Sequence, residues 1–134
     1  MIIFDLDGTI ADCDKDTLII PVNKIFHHLH RCEEEVQIWS ARCESVREKT
    51  IQWLNDHSNL YYCSYFDCNK HLKMRPLGNF TPDEQLKEKW LDEAIAEGKQ
   101  IDYVFDGHDN VIDMWRRRGI FVFDVNKSGK KIIC

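Results

Sequence analysis

The chain has 134 residues, of which 43% are hydrophobic and 31% are charged, and its formal net charge is −5 at pH 7. This length suits a single domain, residues 1–134, with one hydrophobic core. The negative charge argues against a protein that coats nucleic acid through bulk electrostatic attraction, although it permits a local basic site. No apolar run approaches the length of a membrane span and no leader pattern precedes the first strand, so we expect a cytoplasmic protein.

The chain begins with a predicted buried strand that ends in two carboxylates. Three apolar residues lead directly into Asp5-Leu6-Asp7-Gly8-Thr9. A glycine-threonine turn at this point allows Asp5 and Asp7 to converge at the end of the strand. Two acids there suit a nucleophile paired with an acid/base, and they also suit a hard cation such as Mg²⁺.

Helices and strands alternate after this first strand. We expect a polar loop over 11–16, a helix after Pro21, a strand over 36–40, a helix near 44–56, weaker strands over 61–66 and 72–74, a helix from the capping box at 81–84 to Gly98, a strand over 102–106, a helix over 110–118 and a strand over 120–124. This order predicts an α/β fold with a Rossmann-like, doubly wound, mainly parallel sheet of about five strands.

Polar residues recur where the predicted strands end. A doubly wound sheet binds its ligand at the carboxyl ends of its strands, and the residues expected there are Asp5, Asp7, Ser40, Arg42 and Asp106. Lys87 lies on the helix after Thr81. Asp83 precedes Lys87 by four residues and shares its helix face, so we expect Asp83 to orient the lysine ammonium.

In this order the residues resemble the motifs of the haloacid dehalogenase (HAD) superfamily, most of whose members are phosphatases. The stretch 5–9 resembles the first motif, Ser40 the second, Lys87 the third and Asp106 the fourth. Within the superfamily the chain is most similar to the 3′-phosphatase domain of bacteriophage polynucleotide kinase. That likeness rests on Ser40-Ala41-Arg42, on the spacing of Arg75, Gly78, Asp83 and Lys87, and on the Met-Trp-Arg helix over 111–119.

The resemblance implies a Mg²⁺-dependent phosphatase with the HAD fold. It implies that Asp5 is the nucleophile that forms an aspartyl-phosphate and that Asp7 is the general acid and base. Lys87 would offset charge on Asp5 and on the phosphate. The resemblance also implies substrate contacts by Thr9, Ser40, Arg42 and Arg75, and metal contacts by Asp5, the Asp7 backbone carbonyl and Asp106.

The sequence departs from that pattern in the fourth motif. The family has two consecutive acids, whereas Asp106 is followed here by Gly107, then by His108 and Asp109. We predict that Asp109 enters the first or second shell of the metal, since glycine permits the turn this requires. The alternative is that Asp109 merely caps the following helix. No P-loop frame is present, so the chain resembles the phosphatase module alone.

The intervals between the motifs leave no room for a large cap domain. An open site favours a phosphate on a nucleic-acid 3′ end or a nucleotide. Two alternatives stay open: a phosphatase for a small metabolite or free nucleotide, closed by a partner subunit, and a non-catalytic phosphate-binding module, suggested by Gly107. We expect no membrane partner, and a homo-oligomer is compatible with the sequence.

Six cysteines occur along the chain, and without a leader we expect them to be reduced thiols. A zinc site would need His57, Cys63, Cys68 and His71, but the Cys-x4-Cys spacing lacks the usual short ligand knuckle. Scattered buried and surface thiols are the simpler interpretation.

Overall fold

A computed structural model describes residues 1–13, 16–60 and 66–126 of the chain. Its strands are β1 (Ile2–Phe4), β2 (Ala11–Asp12), β3 (Thr17–Leu18), β4 (Val36–Cys43), β5 (Leu72–Arg75), β6 (Tyr103–Asp106) and β7 (Val122–Asp124). Its helices are α1 (Ile20–Arg31), α2 (Arg47–Ser58), α3 (Cys68–His71), α4 (Asp83–Ala96) and α5 (Asp109–Arg117), and a 3₁₀ turn (Glu44–Val46) precedes α2. In the described parts of the chain, no helix is both long and apolar enough to cross a bilayer.

Five strands form one parallel sheet in the order β5-β4-β1-β6-β7. From β1 the chain adds β4 and then β5 towards one edge of the sheet. It then returns to add β6 and β7 on the opposite side of β1. The strand order therefore reverses at β1, and in a sheet of this kind ligands bind where that reversal occurs. This architecture confirms the expected doubly wound fold of about five strands without a large cap.

The sheet separates two hydrophobic cores, because alternate residues of a strand point to opposite faces. Phe4, Ile38 and Phe105 pack with α1 and α2 on one face. Their neighbours Ile3, Trp39 and Val104 pack with α4 and α5 on the other. Each central strand is thus buried on both faces, which explains why the strands read as continuous apolar runs rather than as alternating patterns.

Local structure differs from the expected elements in two described regions. Residues 11–12, expected as the start of a polar loop, form strand β2, which pairs antiparallel with β3. The capping box over 81–84 does not form: Pro82 is the N-cap of α4 and makes no side-chain cap hydrogen bond. Of the weaker strand expected over 61–66, residues 61–65 lie outside the described residues, and Phe66 is buried against Phe26 instead.

Candidate active site

The turn after β1 places Asp5 at the carboxyl edge of the sheet. Gly8 has a φ of 84°, a conformation that side chains other than glycine rarely adopt. This lets the chain fold back so that the backbone N–H groups of Thr9, Ile10 and Ala11 all donate to the Leu6 carbonyl. The Thr9 hydroxyl then donates to Oδ2 of Asp5 at 3.2 Å. The turn therefore fixes the direction of a carboxylate that is itself buried.

Lys87 joins the ends of two strands across the site. Its Nζ donates to Asp5 Oδ1 at 2.7 Å and to Asp106 Oδ2 at 3.3 Å. All three side chains are at least 95% buried. Removing charges from water is costly unless they are paired and hydrogen-bonded, and here one ammonium serves two carboxylates at once.

Asp106 and His108 complete the buried cluster. The backbone N–H groups of Gly107 and His108 donate to Asp106 Oδ1 at 2.7 and 3.0 Å. Nδ1 of His108 lies 3.2 Å from Asp5 Oδ2 and 3.3 Å from Asp106 Oδ1. Lys87 and His108 therefore both bridge the carboxylates of Asp5 and Asp106, each through different oxygen atoms.

This arrangement shifts the pKa values of the buried groups. Burial alone would favour the neutral forms, but the charges and hydrogen bonds of the cluster outweigh it. Asp106 and Asp5 raise the pKa of Lys87 above its usual value, and they raise that of His108 to about 10. Lys87 and His108 in turn lower the pKa of Asp106 to about 2. Without a bound cation, the cluster is thus most stable as ion pairs.

A second ion pair lies beside this cluster, at the end of β4. Arg42 binds Asp7 through two parallel hydrogen bonds, from Nε to Oδ2 at 2.7 Å and from Nη2 to Oδ1 at 2.5 Å. The pairing of β4 with β5 is irregular between Trp39 and Cys43, and such irregularities re-aim side chains. Ser40 is buried there, and its hydroxyl accepts a hydrogen bond from the Arg42 N–H at 3.1 Å.

Arg75, the last residue of β5, holds the segment that leads into α4. Its guanidinium donates to the Asn79 side chain at 3.0 Å, to the Thr81 carbonyl at 2.5 Å and to Asp83 Oδ1 at 2.6 Å. It also donates to the Ala41 carbonyl at 3.0 Å, beside Arg42. One side chain thereby attaches the 76–82 segment to the β4 end of the site.

These groups surround a cavity of about 300 Å³, lined by Asp5, Asp7, Ala41, Arg42, Arg75, Asp83, Lys87, His108 and Val111. Carboxylates, guanidinium groups and an ammonium converge on it. Two larger depressions, of about 460 and 700 Å³, lack the Asp5 carboxylate and its partners, so the chemistry rather than the volume identifies the site. A cavity with these groups suits a small polyanion such as a phosphoryl group.

The structure gives Asp83 a different partner from the one expected, and it places Asp109 at an exposed helix start. Asp83 binds Arg75, and Lys87 is held by Asp5 and Asp106 instead. Asp109 is exposed as the first residue of α5, and it is not part of the cluster of potential ligand atoms formed by Asp5, Asp106 and His108. The sequence interpretation did not select His108, although its position two residues after Asp106 was a usable signal.

Among the described residues, no ligand group forms at the cysteine-rich region expected as an alternative zinc site. His57 stacks on Trp53, and His71 accepts a hydrogen bond from the Asp67 N–H at 2.9 Å. Cys63 lies outside the described residues. Cys32, Cys43 and Cys68 are free thiols, whereas Cys13 is disulfide-bonded, so the expectation of reduced cysteines is wrong for Cys13.

Comparisons with known proteins identify the family of the chain. A family model for the phosphatase domain of polynucleotide kinase PNKP matches residues 1–129. A chain in the structure of the Pnkp1/Rnl/Hen1 complex is similar, with 26% identity, a TM-score of 0.77 and coverage of 92% of this chain and 45% of that chain. A chain of the Pnkp1/Rnl/Hen1 RNA repair complex has 27% identity and a TM-score of 0.76, with coverage of 92% and 41%. This chain thus spans less than half of those two chains, and no curated protein matches it significantly.

Proposed function

Because the chain belongs to the family of polynucleotide kinase PNKP phosphatase domains, we propose that this HAD-type phosphatase removes 3′-phosphates from nucleic-acid ends or nucleotides through an aspartyl-phosphate. The observation that carries the proposal is Asp5: a buried carboxylate, held by Lys87 and Thr9, at the wall of a cavity shared with Asp7 and Arg42. A fixed, desolvated carboxylate beside positive charge suits attack on phosphorus.

In the first step, a carboxylate oxygen of Asp5 attacks phosphorus while the bond between phosphorus and the ester oxygen breaks. The leaving oxygen takes its proton from Asp7. Lys87 contacts Asp5 before the reaction and stabilises the negative charge that develops beside it.

In the second step, water attacks the phosphorus of the aspartyl-phosphate and Asp7 accepts the proton of that water. Inorganic phosphate leaves and the Asp5 carboxylate is restored. Without substrate, the Arg42 guanidinium makes a bidentate hydrogen bond to Asp7. Its planar geometry allows the same bidentate hydrogen bonding to two phosphate oxygens instead. Such an exchange would release Asp7 for its proton transfers.

The donor set fits a divalent cation. Ligand atoms of Asp5 and Asp106 lie within 4.8 Å of each other, and Asp5 also lines the cavity. Hard cations favour carboxylate oxygen. We propose that Asp5, Asp106 and the Asp7 backbone carbonyl hold Mg²⁺. When bound, the ion would supply neutralisation of the negative charges that meet at phosphorus.

The open site supports a substrate that extends away from its phosphate. Only the β2–β3 hairpin and α1 separate β1 from β4 among the described residues, so no large cap covers the cavity. A 3′-phosphate at the end of a nucleic acid fits such a site, and the RNA repair complex to which the similar chains belong supports a repair role. We further propose that this chain works beside other repair proteins in a cytoplasmic setting.

A panel of substrates tests the proposal. An aryl phosphate measures phosphatase chemistry, while 3′- and 5′-phosphorylated oligonucleotides of identical sequence and a 3′-mononucleotide measure specificity. We expect Mg²⁺-dependent release of phosphate, fastest from the 3′-phosphorylated oligonucleotide, and none above background in Asp5→Asn, whose amide cannot form the acyl-phosphate. Preference for the mononucleotide would instead favour a small-molecule phosphatase closed by a partner subunit.

A further inference from the structure

His108 occupies a position that a metal ligand would occupy. Its Nδ1 lies 3.2 Å from Asp5 Oδ2 and 3.3 Å from Asp106 Oδ1, the two carboxylates to which the proposed function assigns the cation. These three residues are the group of potential ligands found among the described residues. The next residue in the chain, Asp109, is exposed and outside this group.

The backbone fixes the imidazole in this place. His108 is the N-cap of α5, with an extended conformation (φ −96°, ψ 122°), and its N–H donates to Asp106 Oδ1 at 3.0 Å. The preceding Gly107 has no side chain that could compete for the same space. The imidazole therefore approaches both carboxylates from the start of a helix.

We propose that His108 supplies a nitrogen ligand to the cation site, which makes the site favour first-row transition ions over Mg²⁺ more strongly than a site of carboxylates alone. Mg²⁺ is a hard ion that takes oxygen ligands almost exclusively. Imidazole nitrogen suits first-row transition ions such as Fe²⁺, Ni²⁺ and Zn²⁺, and Mn²⁺ is the weakest-binding ion of that series. This inference rests on the cation site of the proposed function and specifies which ions that site prefers.

Mn²⁺ is the probe for the test because its unpaired electrons report directly bound nitrogen. Pulsed electron paramagnetic resonance of the Mn²⁺-loaded full chain is expected to show ¹⁴N modulation from a coordinated imidazole. The modulation is expected to vanish in His108→Asn and to persist in His28→Asn, a matched control because His28 is exposed on α1. Modulation that persists in His108→Asn, or is absent from the unmodified chain, would overturn the proposal.

Equilibrium competition between the two ions gives a second readout. In His108→Asp, which replaces the nitrogen by carboxylate oxygen, the ratio of Mn²⁺ to Mg²⁺ affinity is expected to fall about tenfold. An unchanged ratio in His108→Asp would contradict a nitrogen ligand.

These measurements separate the inference from the proposed function. If ¹⁴N modulation is present but 3′-phosphorylated oligonucleotide is not hydrolysed, the ligand assignment stands and the proposed activity fails. If phosphate is released but the modulation is absent, the activity stands and His108 only hydrogen-bonds the two carboxylates.

Discussion

The cavity joins two sets of charges that differ in burial. In the central set, Asp5, Lys87 and Asp106 have side chains no more than 5% exposed. In the outer set, Arg42 and Asp7 are about a quarter exposed and Asp83 is 47% exposed. Both sets are ion pairs at similar distances. They differ in how many hydrogen bonds hold each charged group and in whether water can replace one of its partners.

This difference separates two tasks. The central charges have lost their water, so each depends on its partners and cannot change them without a large free-energy cost. The outer charges keep access to solvent, so exchanging one anion for another costs little. The central set therefore suits holding Asp5, the proposed nucleophile, in place, and the outer set suits admitting a substrate anion.

The largest expected effect concerns Asp7, the outer carboxylate that we propose takes part in the reaction. Asp7→Asn removes the proton donor and acceptor, and we expect turnover of a 3′-phosphorylated oligonucleotide to fall by roughly 10²–10⁴-fold. Metal affinity should change little, since the expected metal contact is the backbone carbonyl. Steady-state kinetics and Mn²⁺ titration measure the two effects; unchanged turnover would place Asp7 outside the chemistry.

The next largest effect is on protein stability, and it tests how strongly the central set depends on its ion pairs. Lys87→Met leaves Asp5 and Asp106 buried without their cation, and we expect the free energy of unfolding at pH 7 to fall by about 3–5 kcal/mol. Asp83→Ala, the matched outer change, should cost no more than about 1 kcal/mol because Asp83 is half exposed. Urea denaturation compares them. Equal losses would show that burial does not distinguish the two sets.

The pH dependence of stability in metal-free protein gives a smaller effect. The folded pKa of His108 is about 10, above its ordinary value of 6.5. Its contribution is therefore complete below about pH 6.5 and is lost as the pH rises towards 10. Between these pH values the protein should lose on the order of 3 kcal/mol more than His108→Asn does. Parallel unfolding curves for the two proteins would refute the central role of His108.

The smallest effect concerns Asp109, which lies outside both sets. As an acid in the first turn of α5 it stabilises the helix through the helix dipole, so Asp109→Ala should cost about 0.3–1 kcal/mol. The metal concentration required for half-maximal activity should stay unchanged. If Asp109→Ala raised this metal concentration as much as Asp106→Ala does, Asp109 would belong to the metal site, as the sequence predicts.

The sequence was sufficient to predict the sheet and the residues at its edge. Short continuous apolar runs ending in Asp5 and Asp106, within an alternation of strands and helices, indicate buried parallel strands, and parallel strands bring their ends together. The glycine turn after Asp7 was equally readable, because few other residues accept its conformation. These features depend on periodicity and on local conformational preference, both of which short stretches of sequence carry.

The partners of individual charges were not predictable in the same way. Spacing placed Asp83 and Lys87 on one helix face, but the partner of Asp83 is Arg75, whose position depends on β5 pairing with β4. His108 reaches Asp5 because β1 and β6 are neighbours and because the backbone at 108 is extended. Such contacts are set by the tertiary arrangement, not by the local pattern.

The bidentate ion pair between Arg42 and Asp7 also affects the rate at which substrate associates with the protein. A charge that already has an opposite partner projects little field beyond the cavity, and the chain as a whole carries a net charge of −5. Long-range attraction would therefore contribute little to encounters with a polyanion. The protein and a polyanion would carry net charges of the same sign, so encounter rates should rise as ionic strength screens their repulsion. Delivery of the proposed nucleic-acid end to this cavity would depend on proximity, such as a neighbouring protein that already holds the nucleic acid.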